Sequence, residues 1–294
     1  MASLFCDAPI APSLFQDCLI EPEEARSILR PQRDERYGFG FTLSPYRGCA
    51  HACRYCYVRE YPHAMHPPEA WGKWIAPKLN APELLWSQRH RLHTATVFLS
   101  SATDPYQPIE REFRLTRACL KVLLEFTTTR VIVHTRSALV LQDLDLLREF
   151  GSRLSVGFSI PTDDDTVRQI VEPKAPPIPT RWAAVERLAR AGIDVGLAVA
   201  PLMALENPQA FARRAASSGV GSAWVGRLRL LENDPFEGLL RTHGWERILD
   251  PDYAEEVRHA LQREIPRGLR AAQPVPAAPH RPRPRAEGSQ PSLF

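Results

Sequence analysis

A chain of 294 residues, 44% of them hydrophobic, can bury one barrel-sized core of roughly 200 to 250 residues or two smaller ones. Its 37 basic and 34 acidic residues leave a formal charge of +3, so the average composition demands no polyanionic partner and any basic surface must be local. The start, MASLFCDAPIAPSLFQDC, lacks a basic segment leading into an apolar run, and the longest apolar stretch, Val195 to Leu205, contains Pro201 and is too short to span a bilayer. The expectation is a cytoplasmic protein without a membrane anchor.

Residues 1–36, with several prolines and the run RPQRDER, read as an irregular covering segment. From 37 to 265 the chain reads as one α/β unit in which short β-rich runs alternate with longer helical patterns. The first strand, Gly40 to Ser44, leads into a cysteine-rich loop and a helix over Pro82 to His93. Strands at Ala95 to Ser100, Arg130 to Thr135 and Arg153 to Ile160 follow, separated by helices over Ile109 to Thr127 and Leu139 to Phe150. A helix over Thr180 to Ala191, a strand over Asp194 to Ala200, a helix over Asn207 to Ser218 and a strand over Ser222 to Leu228 complete six βα units. TVFLS, RVIVHT and VGLAVA are nearly continuous in apolar residues, as in strands covered on both faces. The predicted fold is an α/β partial parallel (β/α)6 barrel with a helical extension after Asp234. Residues 266–294, rich in Pro, Ala and Arg, read as a disordered tail.

Cys49, Cys53 and Cys56 follow the first strand directly, in SPYRGCAHACRYCYVR. Three thiolates on one short loop can ligate three irons of a [4Fe-4S] cluster and leave the fourth iron without a protein ligand. That corner can chelate the amino and carboxylate groups of S-adenosylmethionine (SAM), whereas a fully ligated cluster only passes electrons outward. Gly48 lets the backbone approach closely, and Tyr55 can lie against the adenine. The competing readings are unliganded thiols or a zinc site completed by His51, although no distant second pair of ligands follows. Cys6 and Cys18 precede this region, and Cys119 falls in the helical pattern EFRLTRACLKVLLEF as a core thiol.

Polar residues gather where the apolar strands end: Ser100, Ser101, Thr103 and Asp104; His134, Thr135, Arg136 and Ser137; and Ser159. In a parallel α/β barrel the site lies at those carboxyl ends. Arg136 suits a two-pronged bond to the SAM carboxylate, and Ser159 suits the ribose hydroxyls. Asp104 is equally suited to capping the next helix. Glu172 and Arg181 could line the same mouth, but by default these two and Ser159 read as structural, the charges solvated or in weak surface pairs, and Asp143 and Asp145 read as carboxylates complementing a helix dipole.

The cysteine spacing, with an aromatic residue before the last cysteine, resembles the radical SAM superfamily. SPYRGCAHACRYCYVR, and after it SSATDPYQPIERE, VIVHTRSALVLQDLDLL, SVGFSI, VEPKAPP and VGLAVAPLM, resemble its spore photoproduct lyase branch over about Phe41 to Met203. The resemblance implies an enzyme that reductively cleaves SAM to a 5′-deoxyadenosyl radical, which abstracts hydrogen from a substrate, and an electron donor such as flavodoxin or ferredoxin. It implies that Ser100 to Asp104 bind the SAM ammonium. Relatives often carry Lys where this chain has Arg136 and Arg where it has Gln142. Spore photoproduct lyase returns hydrogen from a cysteine near the end of the second strand, where this chain has Ser100, Ser101 and Ala102, so that reaction itself is disfavoured. The alternatives are a non-catalytic iron-sulfur carrier or redox sensor and a zinc-stabilised nucleic-acid module.

Two tail features suggest nucleic acid repair or modification. HRPRPR, residues 280–285, is a small basic cluster, and Gln290, Ser292, Leu293 and Phe294 resemble the short motif that docks repair enzymes on the DNA sliding clamp.

Overall fold

The computed structural model describes residues 18–61, 65–230, 234–265 and 267–269. In chain order they form β1 (Leu19–Ile20), β2 (Leu29–Pro31), β3 (Phe41–Leu43), β4 (Tyr46–Arg47), β5 (Trp74–Pro77), α1 (Ala81–Ser87), β6 (Thr96–Leu99), α2 (Glu110–Phe113), α3 (Leu115–Leu124), β7 (Arg130–Thr135), α4 (Leu144–Glu149), β8 (Leu154–Ser159), α5 (Asp165–Val171), α6 (Ile178–Arg190), β9 (Asp194–Val199), α7 (Pro208–Ser217), β10 (Ser222–Val225), α8 (Pro235–His243) and α9 (Pro251–Glu264).

Strands β3, β6, β7, β8, β9 and β10 pair in that order, every pair parallel, and are the six strands expected from the sequence. The sheet is open: β10 ends one side, and on the other β2 adds to β3 antiparallel. The four residues of β10 and five of the six in β8 and in β9 are buried, so both faces are covered and the apolar runs are explained. No helix among the described residues is long and apolar enough to cross a membrane.

The N-terminal segment contributes more than an irregular cover. Strand β1 pairs parallel with β5, which pairs antiparallel with β4, and this second sheet abuts the cysteine loop.

The helix expected over Ile109 to Thr127 is broken at Arg114, whose φ of 51° is left-handed. Glu110 explains the break. Its buried carboxylate accepts from the backbone N–H groups of Thr116 (3.0 Å) and Arg117 (3.1 Å), capping α3, and from the Tyr46 hydroxyl. Burial pushes this carboxyl up to about 7 against those hydrogen bonds. Helix α5 is an element the sequence reading did not include; Asp164 caps it by accepting from Thr166 N (2.6 Å), and it delivers Glu172 to the core.

Candidate active site

The six parallel strands of the large sheet all end beside one cavity of about 240 Å3. Cys49, Cys53, Cys56, Tyr55, Ser100, Ser101, Thr103, Asp104, His134, Arg136 and Ser159 all line it. Ser137 does not; its hydroxyl accepts from Leu139 N (3.2 Å) and starts the turn after β7.

The cysteine loop is held from three sides. Gly48 has a φ of +74°, and a Cβ there would lie 2.5 Å from the Trp74 carbonyl oxygen, so the loop can pass over β5 only with glycine. Gln107, fully buried, accepts from Ala50 N (2.9 Å) and donates to Thr103 Oγ1 (3.0 Å), which itself donates to the Gly48 carbonyl (2.5 Å). The Tyr57 hydroxyl donates to the Ser101 carbonyl (3.2 Å). Gln107 belongs to the run SSATDPYQPIERE but was not singled out, because nothing local marks it as a clamp on a loop 57 residues earlier.

Burial pushes the thiols of Cys49, Cys53 and Cys56 up to about 12. His51 is buried beside them, and its Nε2 lies 3.3 Å from Asp104 Oδ2. Among the described residues no group of three or more His, Cys, Asp or Glu side chains is gathered tightly enough to hold a single metal ion.

Asp104 is saturated by protein donors. Oδ1 accepts from Tyr106 N (2.8 Å) and Thr135 Oγ1 (2.6 Å), and Oδ2 from Arg136 N (2.9 Å), tying the ends of β6 and β7 together. Burial opposes its ionisation, but His51, Thr135 and the Arg136 amide hold it well below the usual carboxylate range. It caps the turn at Tyr106 rather than α2, which begins at Glu110.

Arg136 is also engaged. Its Nη1 donates to Cys53 Sγ (2.9 Å), to the Tyr55 hydroxyl (2.9 Å) and to Glu172. Glu172 accepts in addition from Tyr55 and from Arg181, and both Glu172 and Arg181 are fully buried. The expectation that they are solvated is corrected: the turn after α5 carries Glu172 inward between two guanidinium groups. Asp143, likewise fully buried, pairs with Arg114 (2.8 Å) and Arg117 (2.9 Å). Cys119 is a buried core thiol, as read from its helical pattern.

Against these satisfied groups, four buried polar atoms on the cavity make no hydrogen bond among the described residues: Trp71 Nε1, Ser100 Oγ, His134 Nε2 and Ser159 Oγ. Ser100 is held at a φ of 69°, strained for a non-glycine residue. Burial, followed by the charge of Arg136, pushes His134 down to about 4, so its ring is neutral near pH 7. The ring meets Phe98 (centroids 5.7 Å apart) and Trp224 (5.1 Å), and Phe98 stacks on Phe39 (4.7 Å), so aromatic rings line one wall. Gly157 makes room for this wall, since a Cβ there would lie 3.3 Å from the Trp224 ring.

Unpartnered hydroxyls and an unpartnered imidazole around three thiols could hold a sulfur-ligated cluster and a polar organic molecule. The basic run 280–285 and the residues Gln290, Ser292, Leu293 and Phe294 lie outside the described residues.

Comparison with known proteins gives the chain's family and its fold. The family model described as the radical SAM superfamily matches residues 43–215. An uncharacterised protein of Methanocaldococcus jannaschii is 31% identical over 166 residues, 56% of this chain and 61% of the relative. One from Acidianus two-tailed virus is 29% identical over 195 residues, 63% of each chain. The chain thus spans somewhat under two thirds of the length of these relatives. Among solved structures, a spore photoproduct lyase mutant with dinucleoside spore photoproduct superposes with a TM-score of 0.66, covering 85% of this chain and 80% of the other at 15% identity, a likeness of fold.

Proposed function

The chain belongs to the radical SAM superfamily and is an enzyme of that class, and from that premise we propose that Cys49, Cys53 and Cys56 hold a [4Fe-4S] cluster whose unligated iron binds SAM. The observation that carries this is the convergence of three thiols and four unpartnered polar atoms on one cavity at the strand ends.

When bound to the three cysteines, the cluster together with SAM would supply one-electron reductive cleavage as a means of abstracting hydrogen from a substrate. The chain's own residues supply position and exclusion of water. Gly48, Thr103 and Gln107 hold the cysteine loop in one conformation. Arg136 places a positive charge and an N–H against Cys53, where cluster binding would put a thiolate. Ser100 and Ser159 offer hydroxyls to the amino-acid and ribose parts of SAM. Asp104 acts indirectly, by fixing the β6 and β7 ends, since its oxygens are already occupied. Neutral His134 presents Nε2 to the substrate from within the wall of Phe39, Phe98 and Trp224, which keeps water from the radical.

Among the described residues the cavity's cysteines are the three of the loop. The hydrogen-return thiol expected of spore photoproduct lyase has no counterpart at Ser100, Ser101 or Ala102. The proposal is therefore a radical reaction of the same class, on a substrate other than that lyase's photoproduct, with an external donor such as flavodoxin or ferredoxin. Anaerobic reconstitution with iron and sulfide, then dithionite and SAM, tests it: 5′-deoxyadenosine should form with the wild type and be absent with Cys53→Ala. A cluster-containing wild type that forms none would point to an electron carrier or sensor instead.

A further inference from the structure

A second cavity of about 110 Å3 adjoins the first, sharing Thr42, Val58, Trp71, Ser101 and Ala102 as lining. Its lining also includes three cations, Arg30, Arg47 and Lys78. Arg47 lies in β4, Lys78 directly follows β5 and Arg30 lies in β2, all outside the six parallel strands.

The charge there is only partly compensated. Glu23 Oε1 lies 3.2 Å from Arg47 Nη2, and Lys78 Nζ donates to the Ser44 carbonyl (2.7 Å), which neutralises nothing. Among the described residues, three cations thus face one carboxylate. Lys78 records the imbalance: burial foremost pushes it down to about 8, with Glu23 acting the other way and the charges of Arg47 and Arg30 adding to the fall. At the junction of the two cavities, the buried indole N–H of Trp71 makes no hydrogen bond among the described residues. A buried donor without an acceptor costs about 1–3 kcal/mol unless a ligand supplies one.

The donors identify the ligand's chemistry. The Arg30 fork, the Arg47 N–H groups that Glu23 leaves open, the two remaining ammonium protons and an indole N–H exceed what the two oxygens of a carboxylate accept. A tetrahedral oxyanion accepts them, and a net charge of about +2 matches a phosphate monoester. We propose that this basic end is a phosphate subsite of the reaction cavity, so that the substrate is phosphorylated and its reacting portion extends past Ser101 and Ala102 toward the aromatic wall. This rests on the reading of the larger cavity as the reaction chamber.

Calorimetric titration of the reconstituted full chain with inorganic phosphate, at constant ionic strength set by sodium chloride, tests the subsite. Saturable binding is expected, about tenfold or more weaker in Arg30→Gln and in Lys78→Met. Arg30 is exposed, so its variant carries the test if Lys78→Met fails to fold. Ribose 5-phosphate and dimethyl phosphate are then compared. Preference for the monoester identifies a free phosphorylated substrate, and equal competition by the diester identifies a nucleic-acid backbone; either supports the subsite. Heat that does not saturate, or that is unchanged in both variants, overturns it. SAM cleavage measured on the same sample separates the two readings: saturable phosphate binding without 5′-deoxyadenosine sinks the enzymatic reading alone, and cleavage without phosphate binding sinks the subsite alone.

Discussion

Arg136 Nη1 donates to the sulfur of Cys53 across 2.9 Å, from a strand end 83 residues further along the chain. The same nitrogen donates to the Tyr55 hydroxyl and to Glu172, so the guanidinium is fixed beside the cysteine loop. A cation donating to a cluster thiolate favours the reduced, more negative state. Replacing Arg136 by Met should therefore shift the cluster's reduction potential to more negative values, and Arg136→Lys should restore part of the shift. An EPR-monitored redox titration reads this directly; a potential unchanged in Arg136→Met would separate the guanidinium from the cluster.

Glu172 predicts a pH-dependent stability. Burial alone would raise its pKa, but Arg136 and Arg181 hold it at about 2 against 4.5 for a free glutamate. A depressed carboxyl contributes stability fully above pH 4.5, and that stability is lost as pH falls through about 2. Glu172→Gln, which also strands two cations, should cost roughly 3 kcal/mol at pH 7. Denaturant unfolding of the wild type and the variant at pH 7 and pH 3 checks this, because the difference between them should shrink at the lower pH.

Gly48→Ala should loosen the cysteine loop. The left-handed backbone costs about 1–2 kcal/mol for a residue with a Cβ, and the Trp74 carbonyl would lie 2.5 Å from that atom. After identical reconstitution, the variant should retain less iron and sulfide than the wild type, measured by metal analysis. Full retention would mean that the loop tolerates another path.

Cys119→Ala gives the opposite expectation. This thiol is fully buried in the core and away from the cavity, so the variant should lose about 1 kcal/mol of stability or less and still cleave SAM. Loss of 5′-deoxyadenosine from a folded Cys119→Ala protein would assign it a role the geometry does not support.

The six strands were legible because each is a short apolar run between turn signals, and the cysteine loop because its spacing is local. Glu172 and Arg181 were not. Their burial depends on α5 turning the chain inward and on Arg136, 36 residues earlier, arriving at the same point. In sequence, a loop glutamate and a helix arginine look like solvated charges. The break at Arg114 was hidden for a related reason: Glu110 caps a new helix from within a continuous apolar pattern, and only burial of its carboxylate reveals the role. His51 and Asp104 sit in quoted motifs, yet their contact arises only when two loops close over each other.

The central claim is that the three thiols leave one iron free for SAM. Electron-nuclear double resonance on the reduced, reconstituted enzyme with SAM carrying 15N in its amino group tests it most directly. The account predicts a 15N coupling large enough to require direct coordination to the cluster. A cluster EPR signal with no such coupling, at SAM concentrations that saturate binding, would contradict it.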